Sequence, residues 1–311
     1  MKLRSLRLRK AIEVTFVAVF LISIVVALGT LAMLLGSVVS TALPYLRTEV
    51  VVNYASAVNP LQAGYAAAIV GTLWVVGLTL LFSIPLGVAA GVYLEEYAPR
   101  SRLTRFLEAG VANLAGVPSV VFGLLGLALF VRILRDITGG PTVLAGALTM
   151  TILVFPYVVI TTQEAVRAVP ASLREGALAL GATKWQAIRG QVLPAGAPGL
   201  LTAVILAASR AMGETAPLIV IGATFFQSYL PSDPRSFFVA LPVQIYGYVG
   251  LPRQDFLDLN RNGILDPGEP LLASGGWPGV AAAGIVILLV ILFAFNIVAM
   301  VARNRMQRRR L

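Results

Sequence analysis

The sequence predicts an all-α integral membrane protein with six transmembrane helices. Hydrophobic residues make up 58% of the 311-residue chain and charged residues only 12%, whereas a typical soluble protein has about 25% charged residues. Six apolar runs approach the length of about 20 residues that a helix needs to cross a bilayer. Most basic residues lie at the ends of these runs. A water-soluble globular fold is therefore disfavoured.

The six apolar runs define the expected helices. They cover residues 14–39, 66–92, 114–130, 142–160, 199–226 and 279–301. The first run follows a basic stretch, as in a signal peptide, but it exceeds the apolar length of about 7–15 residues found in signal peptides. We therefore expect it to be retained as the first helix. The third and fourth runs contain Pro118 and Pro156, which are expected to break or bend them.

The distribution of basic residues orients these helices. Of the 24 lysines and arginines, 17 lie in segments on one side of the six runs and 6 in segments on the other side. Cytoplasmic segments are the ones enriched in basic residues. Both termini and the segment 169–194 are therefore predicted to be cytoplasmic, and residues 229–277 to lie outside.

The chain accordingly divides into three parts. Residues 1–65 form a cytoplasmic tail, the first helix and an outer loop; residues 66–302 form the transmembrane domain; and residues 303–311 form a basic tail. We interpret that tail as an orientation anchor in contact with membrane lipid, not as a nucleic-acid site.

Composition excludes several kinds of chemistry. The chain has no cysteine and no histidine, so disulfides, thiolate nucleophiles, imidazole catalysis and the usual zinc ligands are absent. No G-x-x-x-x-G-K-[ST] motif occurs in the sequence, so the chain lacks the loop that cradles nucleotide phosphates. If it takes part in ATP-driven work, the ATPase must be another chain.

The segment 172–194 is a polar, helix-forming interruption of the apolar chain. Ser172 and Glu175 form an S-x-x-E pattern that indicates a capped helix start, and Gly181 stands where that helix would end. Thr183 and Gln186 repeat the capping pattern in a second helix. We expect two short exposed helices joined by a tight turn.

The second short helix is expected to stop before Pro194, because proline restricts the residue that precedes it. Leu173, Leu180 and Trp185 would then be exposed as apolar anchors for a partner. The alternative is a connecting loop folded only for its own stability.

Arg210 and Glu214 are charged residues inside the fifth apolar run. Their spacing places both on one helical face, and a charge at membrane depth is costly unless it is paired or faces water. They must therefore face the interior of the bundle, and we predict that they line a solute path. Gly213 and Pro217 beside them permit close approach and interrupt the backbone ladder. The alternative is an ion pair that only fixes helix packing.

The outer segment 229–277 contains a possible calcium loop. Residues 258–269 read D-x-N-x-N-G-x5-E, the pattern of a twelve-residue loop with oxygen ligands at fixed positions. The alternative is an Asn-Gly turn in a solvated insertion, which Pro270 directly after the loop would favour. The predicted ligands are Asp258, Asn260, Asn262, Ile264 through its carbonyl, Asp266 and Glu269.

The cytoplasmic segment resembles the EAA loop of ABC-importer permeases, E-A-A-x3-G-x9-I-x-L-P. Glu175-Gly176-Ala177, Gly181 and Leu193-Pro194 carry the likeness, while Gly176 replaces the usual second alanine and Gln191 the usual isoleucine. In that family the helix pair docks into a groove on the ATPase subunit. The resemblance thus implies a coupling role for Ser172, Glu175, Gly181, Thr183 and Trp185.

A wider resemblance is to the permease subunit of phosphate ABC importers, of the PstA type. It rests on SLREGALALGATKWQ, SRAMGETAPL, the run 156–165 and the segment 241–246, and it is strongest over residues 145–222. It implies a type I, MetI-like permease bundle with Arg210 and Glu214 on the translocation path. The expected partners are a homologous permease of the PstC type, an ATPase dimer of the PstB type and a phosphate-binding protein of the PstS type.

These observations together predict a permease subunit that imports inorganic phosphate. A permease for another oxyanion, such as sulfate or molybdate, stays open, because an arginine alone does not distinguish tetrahedral anions. A stand-alone secondary transporter or channel is a further alternative, but it would leave the cytoplasmic helix pair without a partner. A membrane enzyme would have to act through Glu, Asp or Arg, and no acidic pair clusters within the predicted spans.

Overall fold

A computed structural model describes residues 2–258, 265–266 and 268–308. Over these residues the protein is helical and has no β-strand, only two isolated β-bridges. The α-helices, in chain order, are α1 (Lys2–Ala42), α2 (Thr48–Val52), α3 (Ala66–Val92), α4 (Arg102–Ala115), α5 (Ser119–Gly126), α6 (Arg135–Thr138), α7 (Val143–Arg167), α8 (Ala171–Ala179), α9 (Lys184–Ala187), α10 (Leu193–Gly213), α11 (Ala216–Val220), α12 (Leu241–Val249) and α13 (Trp277–Arg308). Three π-helical stretches, Tyr93–Tyr97, Leu127–Ile133 and Ile188–Val192, extend or join these helices.

Five of the helical segments are long and apolar enough to cross a membrane, and a bent pair of helices makes a sixth when it is counted as one span. The predicted runs 14–39, 66–92 and 279–301 lie within α1, α3 and α13, and the run 142–160 lies in α7 apart from its first residue, the N-cap Thr142. Helix α4 and the apolar stretch Ser119–Ile133 make the bent pair, with an angle of 101° between them. The predicted all-α, six-span fold class is confirmed.

The third predicted span, 114–130, has the wrong start. Leu114 belongs to α4, and the apolar stretch begins only at Ser119, after a break at residues 116–118. Gly116 ends α4, and Pro118 enters the next helix with a non-helical ψ of 136°. Hydropathy does not detect this elbow, because the residues directly on either side of it, 109–115 and 119–125, are mostly apolar.

The fifth predicted span, 199–226, is wrong at both ends. Helix α10 begins at Leu193 and stops at Gly213, and after a two-residue break the chain forms only the short α11. Glu214 is extended, with φ −78° and ψ 127°. Pro217 in the first turn of α11 lacks the N–H that a continuous helix would require.

The centre of the bundle is α7, which packs most extensively against α3 and then against α10. Helices α3 and α7 run in the same direction and approach closely at two glycines. A Cβ at Gly87 would lie 2.6 Å from Val158, and one at Gly91 would lie 2.7 Å from Thr162. Ser83, Gly87 and Gly91 recur at intervals of four, which is the small-residue spacing that lets membrane helices approach closely.

The first helix is peripheral. Helix α1 packs against α13, and its apolar side chains between Val14 and Val26 are exposed, as expected for a helix facing lipid. At its far end the chain turns inward, where Tyr45 packs on Gly279 and donates a hydrogen bond to the carbonyl oxygen of Ala273 at 2.8 Å. The first span is therefore anchored to the bundle at that end.

Helix α12 belongs to a compact cap at the end of the bundle that is predicted to lie outside. The amide of Leu241 donates to the hydroxyl of Thr72 on α3 at 2.8 Å. The buried Gln244 donates to the carbonyl of Gly64 at 2.8 Å, and Tyr248 stacks on Trp277 with ring centroids 5.4 Å apart. These contacts fix the connection between α11 and α13.

Candidate functional site

Arg210 and Glu214 lie at the break between α10 and α11. The Nε of Arg210 is 3.5 Å from the Oε1 of Glu214, so the predicted ion pair forms. It forms across a helix end, however, and not along an unbroken helical face, since Glu214 is the first residue after α10. The side chains are 35% and 19% exposed. The pair is thus partly buried and still reachable.

The ion pair leaves Arg210 incompletely bonded. At 3.5 Å the opposite charges attract, but the contact lacks hydrogen-bond geometry. The buried Nε has no hydrogen-bond partner among the described residues. An unmet donor of this kind costs about 1–3 kcal/mol, and more on a charged group. Arg210 can therefore bind an additional anion, or donate a hydrogen bond to Glu214 if that carboxylate moves closer.

Tyr157 supports the guanidinium from α7. The Cζ of Arg210 lies 4.1 Å from the centroid of the Tyr157 ring, well within the range of about 6 Å for a cation–π contact. The Tyr157 hydroxyl donates to the carbonyl oxygen of Ala115, the last residue of α4, at 2.5 Å. Sequence reasoning missed Tyr157, because it lies 53 positions before Arg210 and carries no charge.

The two interrupted helices meet beside this site. Helix α5, just after the elbow, packs on α11, just after the break. A Cβ at Gly123 would lie 2.8 Å from the Cα of Pro217, so only glycine permits this approach. On the other side, Ser209 donates to Asn296 of α13 at 2.9 Å. Broken helices at the middle of a bundle are typical of solute sites in transporters.

A cavity of about 640 Å³ also opens beside the break. Its walls are mostly apolar side chains from α11, α12 and α13, such as Ile219, Ile245 and Leu288. Such a lining suits lipid tails or another protein surface better than a hydrated anion. The charged pair, and not this cavity, is therefore the candidate anion site.

The predicted cytoplasmic helix pair is present as α8 and α9. Helix α8 ends as predicted, with Gly181 at φ +83° and two closing hydrogen bonds, Gly181 N–H to Leu178 and Ala182 N–H to Ala177, which is a Schellman motif. The capping box of Thr183 and Gln186 at the start of α9 is confirmed.

Two predictions about this segment are wrong. Ser172 does not cap α8 with Glu175: the N-cap residue is Pro170, and Ser172 lies inside the first turn. The second helix also does not stop before Pro194, because the π-helical stretch Ile188–Val192 leads directly into α10. Pro194 falls in the first turn of α10, where the missing N–H has no cost.

Arg174 fastens α8 to the ends of α3 and α7. Its Nε donates to Glu96 at 2.7 Å, and its two terminal nitrogens donate to the carbonyl oxygens of Val169 and Val166, both at 2.7 Å. The Arg174 and Glu96 side chains are only 22% and 10% exposed. Lys184 adds a hydrogen bond to the Glu96 carbonyl and lies over the Tyr97 ring. Sequence reasoning missed this joint.

The far side of the helix pair is open. The Leu180 side chain is 91% exposed, and Trp185 and Leu173 are also exposed, as predicted for apolar anchors. Glu175 is exposed on α8 as well. Beneath Trp185 lies an apolar groove of about 490 Å³, formed with the end of α3 and with Leu193. Exposed large apolar side chains next to a groove are typical of a protein-docking surface.

The outer loop is only partly described. Asn260, Asn262 and Ile264 lie outside the described residues, whereas Asp258, Asp266 and Glu269 lie within them. The two ends of the twelve-residue stretch are held together, since Leu257 N–H donates to the Pro270 carbonyl and Leu272 N–H to the Asp255 carbonyl, each at 2.9 Å. The amide of Asp266 donates to Glu269 Oε2 at 3.0 Å. Calcium binding stays a prediction.

The chain has long apolar helices, two interrupted helices beside a partly buried ion pair, and an exposed helix pair at one end. These features are typical of a transport permease. Comparison with known proteins gives its family. The chain belongs to the binding-protein-dependent transport system inner membrane component family, whose model matches residues 83–309. It is therefore a multi-pass inner-membrane subunit and not an enzyme, and it works with a binding protein and a separate ATPase.

Several relatives are similar over most of the chain. It is 35% identical to the phosphate transport system permease protein PstA of Haemophilus influenzae, over 76% of this chain and 82% of that protein. It is 35% identical to the phosphate transport system permease protein PstA 1 of Mycobacterium tuberculosis, over 69% of each chain. It is 30% identical to the probable ABC transporter permease protein YqgI of Bacillus subtilis, over 73% of this chain and 74% of that protein.

Solved structures confirm the bundle type. An inward-facing structure of the MetNI methionine ABC transporter matches with a TM-score of 0.53 and 20% identity, over 78% of this chain and 95% of that one. A bacterial alginate ABC transporter in complex with its alginate-bound periplasmic protein matches with a TM-score of 0.53 and 18% identity, over 79% and 78%. At such identities the likeness shows the fold alone, and that fold is the predicted MetI-like permease bundle.

Proposed function

We propose that this chain is the PstA-type permease subunit of an ATP-driven importer of inorganic phosphate, with Arg210 and Glu214 on the solute path. The observation that carries this proposal is a partly buried, incompletely paired arginine at a helix break. The names of the Haemophilus and Mycobacterium relatives favour phosphate over other oxyanions.

The chemistry of the pair suits a phosphate anion. A guanidinium is charged at every relevant pH and offers parallel N–H groups that match two phosphate oxygens. Glu214 would hold Arg210 in place while the path is empty and would repel the anion once it has arrived, so that phosphate is not trapped. Sulfate and molybdate share the tetrahedral shape, so selectivity among them would need further groups, including those of a second permease.

We assign the coupling role to the surface formed by α8, α9 and the turn between them. Glu175 and Trp185 would contact an ATPase dimer of the PstB type, while Gly181 and Thr183 shape the turn and the start of α9, and Ser172 lies in the first turn of α8. Arg174 supports this role, because it links α8 rigidly to the ends of α3 and α7. Closure of the ATPases on nucleotide would shift the bundle between inward-open and outward-open populations.

The remaining proposed partners are a homologous permease of the PstC type and a phosphate-binding protein of the PstS type. The exposed and mostly apolar cavity near α11 and α13 is compatible with packing against a second permease. The cap that contains α12 would face the binding protein.

The test is ATP-dependent phosphate uptake into vesicles that carry the assembled transporter. Arg210→Ala should abolish uptake without changing ATPase assembly, whereas Glu175→Ala should reduce uptake together with ATPase assembly. Arg102→Ala is the control, because Arg102 is an exposed arginine at the start of α4. Normal uptake in Arg210→Ala would reject the solute role. Uptake of sulfate or molybdate in preference to phosphate would favour the other-oxyanion permease.

We also propose that the outer loop 258–269 binds calcium weakly. The clasped ends of the loop support this, because they bring Asp258 and Glu269, the first and last predicted ligands, near one another. Extracellular calcium modules bind in the range of about 10⁻⁴–10⁻³ M. Such a site would stiffen the cap that contains α12.

Thermal unfolding of the purified transporter with and without millimolar calcium tests the calcium site. Calcium should raise the melting temperature while magnesium should not, and Glu269→Gln should remove the effect. Asp255→Asn, just before the loop, is the matched control and should retain it. Equal melting temperatures with and without calcium would leave the Asn-Gly turn as the correct interpretation.

A further inference from the structure

Tyr157 makes a cation–π contact with Arg210, and its hydroxyl bonds to a residue of another helix. Its ring lies under the guanidinium of Arg210, with 4.1 Å between the ring centroid and Cζ. Its hydroxyl bonds to the carbonyl of Ala115 at 2.5 Å. A single side chain thus connects the break after α10 with the elbow after α4.

The ring restricts how an anion can reach Arg210. It covers one face of the guanidinium, and the Nε edge is buried and directed towards Glu214. The terminal Nη groups are the remaining donors, and the Arg210 side chain is 35% exposed. An oxyanion would therefore be bound in the plane of the guanidinium, at its Nη edge, which is the bidentate geometry that guanidinium groups favour.

The hydroxyl acts on a different part of the molecule. Ala115 ends α4, and the chain then bends by 101° into α5. The carbonyl groups at a helix end lack an intrahelical partner, so the phenol supplies a partner that the helix itself does not. Helix α5 in turn packs on α11 through Gly123 and Pro217. A shift of the elbow would therefore move the Tyr157 side chain, which lies under Arg210, and also α11, which follows Glu214.

We propose that Tyr157 is a positioning residue of the anion path, in which the ring holds Arg210 for in-plane anion binding and the hydroxyl links this site to the α4–α5 elbow. The inference rests on the proposed role of Arg210. It separates two functions of one side chain, and each function has its own measurable consequence.

The experiment compares Tyr157→Phe with Tyr157→Leu in phosphate uptake by the assembled transporter in vesicles. Leucine removes the ring, so the KM for phosphate should rise about 3- to 30-fold, the effect expected from the loss of a partly desolvated cation–π contact. Phenylalanine keeps the ring and loses the hydroxyl, so KM should stay within about twofold of the wild-type value. The maximal rate should fall several-fold in Tyr157→Phe, because the elbow is no longer tied to α7.

Tyr54→Phe is the control, since Tyr54 is exposed at the other end of the bundle and its hydroxyl has no hydrogen bond in the described structure. A wild-type KM in Tyr157→Phe together with a raised KM in Tyr157→Leu would show that the ring positions Arg210. A general loss of packing would instead lower the amount of assembled transporter in both variants. An equal rise of KM in both variants, or none in either, would overturn the inference. Normal uptake in Arg210→Ala would instead overturn the proposed function on which it rests.

Discussion

Arg210 combines three requirements that a lysine cannot meet together. Its guanidinium stacks on Tyr157, pairs with Glu214 and still presents Nη groups to an anion. An ammonium group is a compact point charge without a planar face for stacking or a fork for bidentate bonding. The identity of the cation, and not only its charge, should therefore determine transport.

At this scale we expect Arg210→Lys to fail as a conservative replacement. Phosphate uptake should fall at least tenfold, because bidentate binding and stacking are lost together. Initial uptake rates at several phosphate concentrations would measure the loss. Arg235→Lys, in the exposed loop before α12, should transport normally. Wild-type rates in Arg210→Lys would mean that only a positive charge is needed at this position.

Sequence reasoning reached the charged residues but not the side chains that hold them. An arginine and a glutamate in an apolar run are conspicuous, because a charge at that depth is expensive. Tyr157 and Glu96 are not conspicuous, since a tyrosine inside an apolar helix and a glutamate near a helix end are both common. Glu96 lies 78 residues from Arg174, and one sequence without homologues contains no signal for a contact at that separation. Long-range partners therefore had to come from the structure.

At the level of elements, hydropathy predicted which segments are helical but not where they break. The elbow at 116–118 and the break at 214–215 interrupt runs that remain apolar on both sides, so a window average passes over them. Proline was judged by its usual effect, which was correct at Pro118. No break occurs at Pro156, which lies inside α7, and the prediction at Pro194 was wrong because Pro194 lies in the first turn of α10, where a proline is tolerated.

The packing of α3 on α7 provides a prediction for a helix pair. Gly91→Leu should destabilise the protein by about 1–3 kcal/mol, the usual effect of overpacking, because its Cβ would lie 2.7 Å from the Cβ of Thr162 and 2.8 Å from the carbonyl oxygen of Val159. Gly77→Leu is the matched control on the same helix, since nothing lies within 4 Å of a Cβ there. Thermal unfolding in detergent would measure both variants. Equal melting temperatures for the two would show that α3 and α7 do not need this close approach.

The joint under α8 provides a second prediction for elements. Arg174→Ala should lower local stability by about 2–4 kcal/mol, because it removes three hydrogen bonds and leaves the largely buried Glu96 carboxylate without its partner. Arg167→Ala is the matched control at the same joint. In its bidentate pair with Glu95, Arg167 is 67% exposed and Glu95 is 19% exposed. Because the guanidinium is mostly solvated, we expect its loss to cost less, about 1 kcal/mol.

Stimulation of ATP hydrolysis by the loaded binding protein is the measurement for this pair of variants. It should be lost in Arg174→Ala and kept in Arg167→Ala, since Arg174, unlike Arg167, lies on α8 and connects it to the bundle. A larger loss in Arg167→Ala would place the transmitting contact at Glu95 instead.

At the scale of the whole molecule, the orientation in the membrane determines which end can meet the ATPase. The prediction rests on 17 basic residues on one side against 6 on the other. Because the chain contains no cysteine, single cysteines can be introduced and labelled without background. Leu180→Cys would place a thiol on the turn after α8, and Val58→Cys would place one in the outer cap, at positions that are 91% and 67% exposed.

A membrane-impermeant maleimide is added to cells in which it can reach the outer face of an intact cytoplasmic membrane. It should label the Val58→Cys variant and leave the Leu180→Cys variant unlabelled. Leu180→Cys should react only after the membrane is opened, and Val154→Cys, which is buried in α7, should react in neither case. The reverse pattern would place α8 and α9 outside, where no ATP is available to the ATPase. In that case α8 and α9 could not contact a cytoplasmic ATPase. The coupling role of Arg174 and Glu175 would then be wrong, even if Arg210 proved essential for uptake.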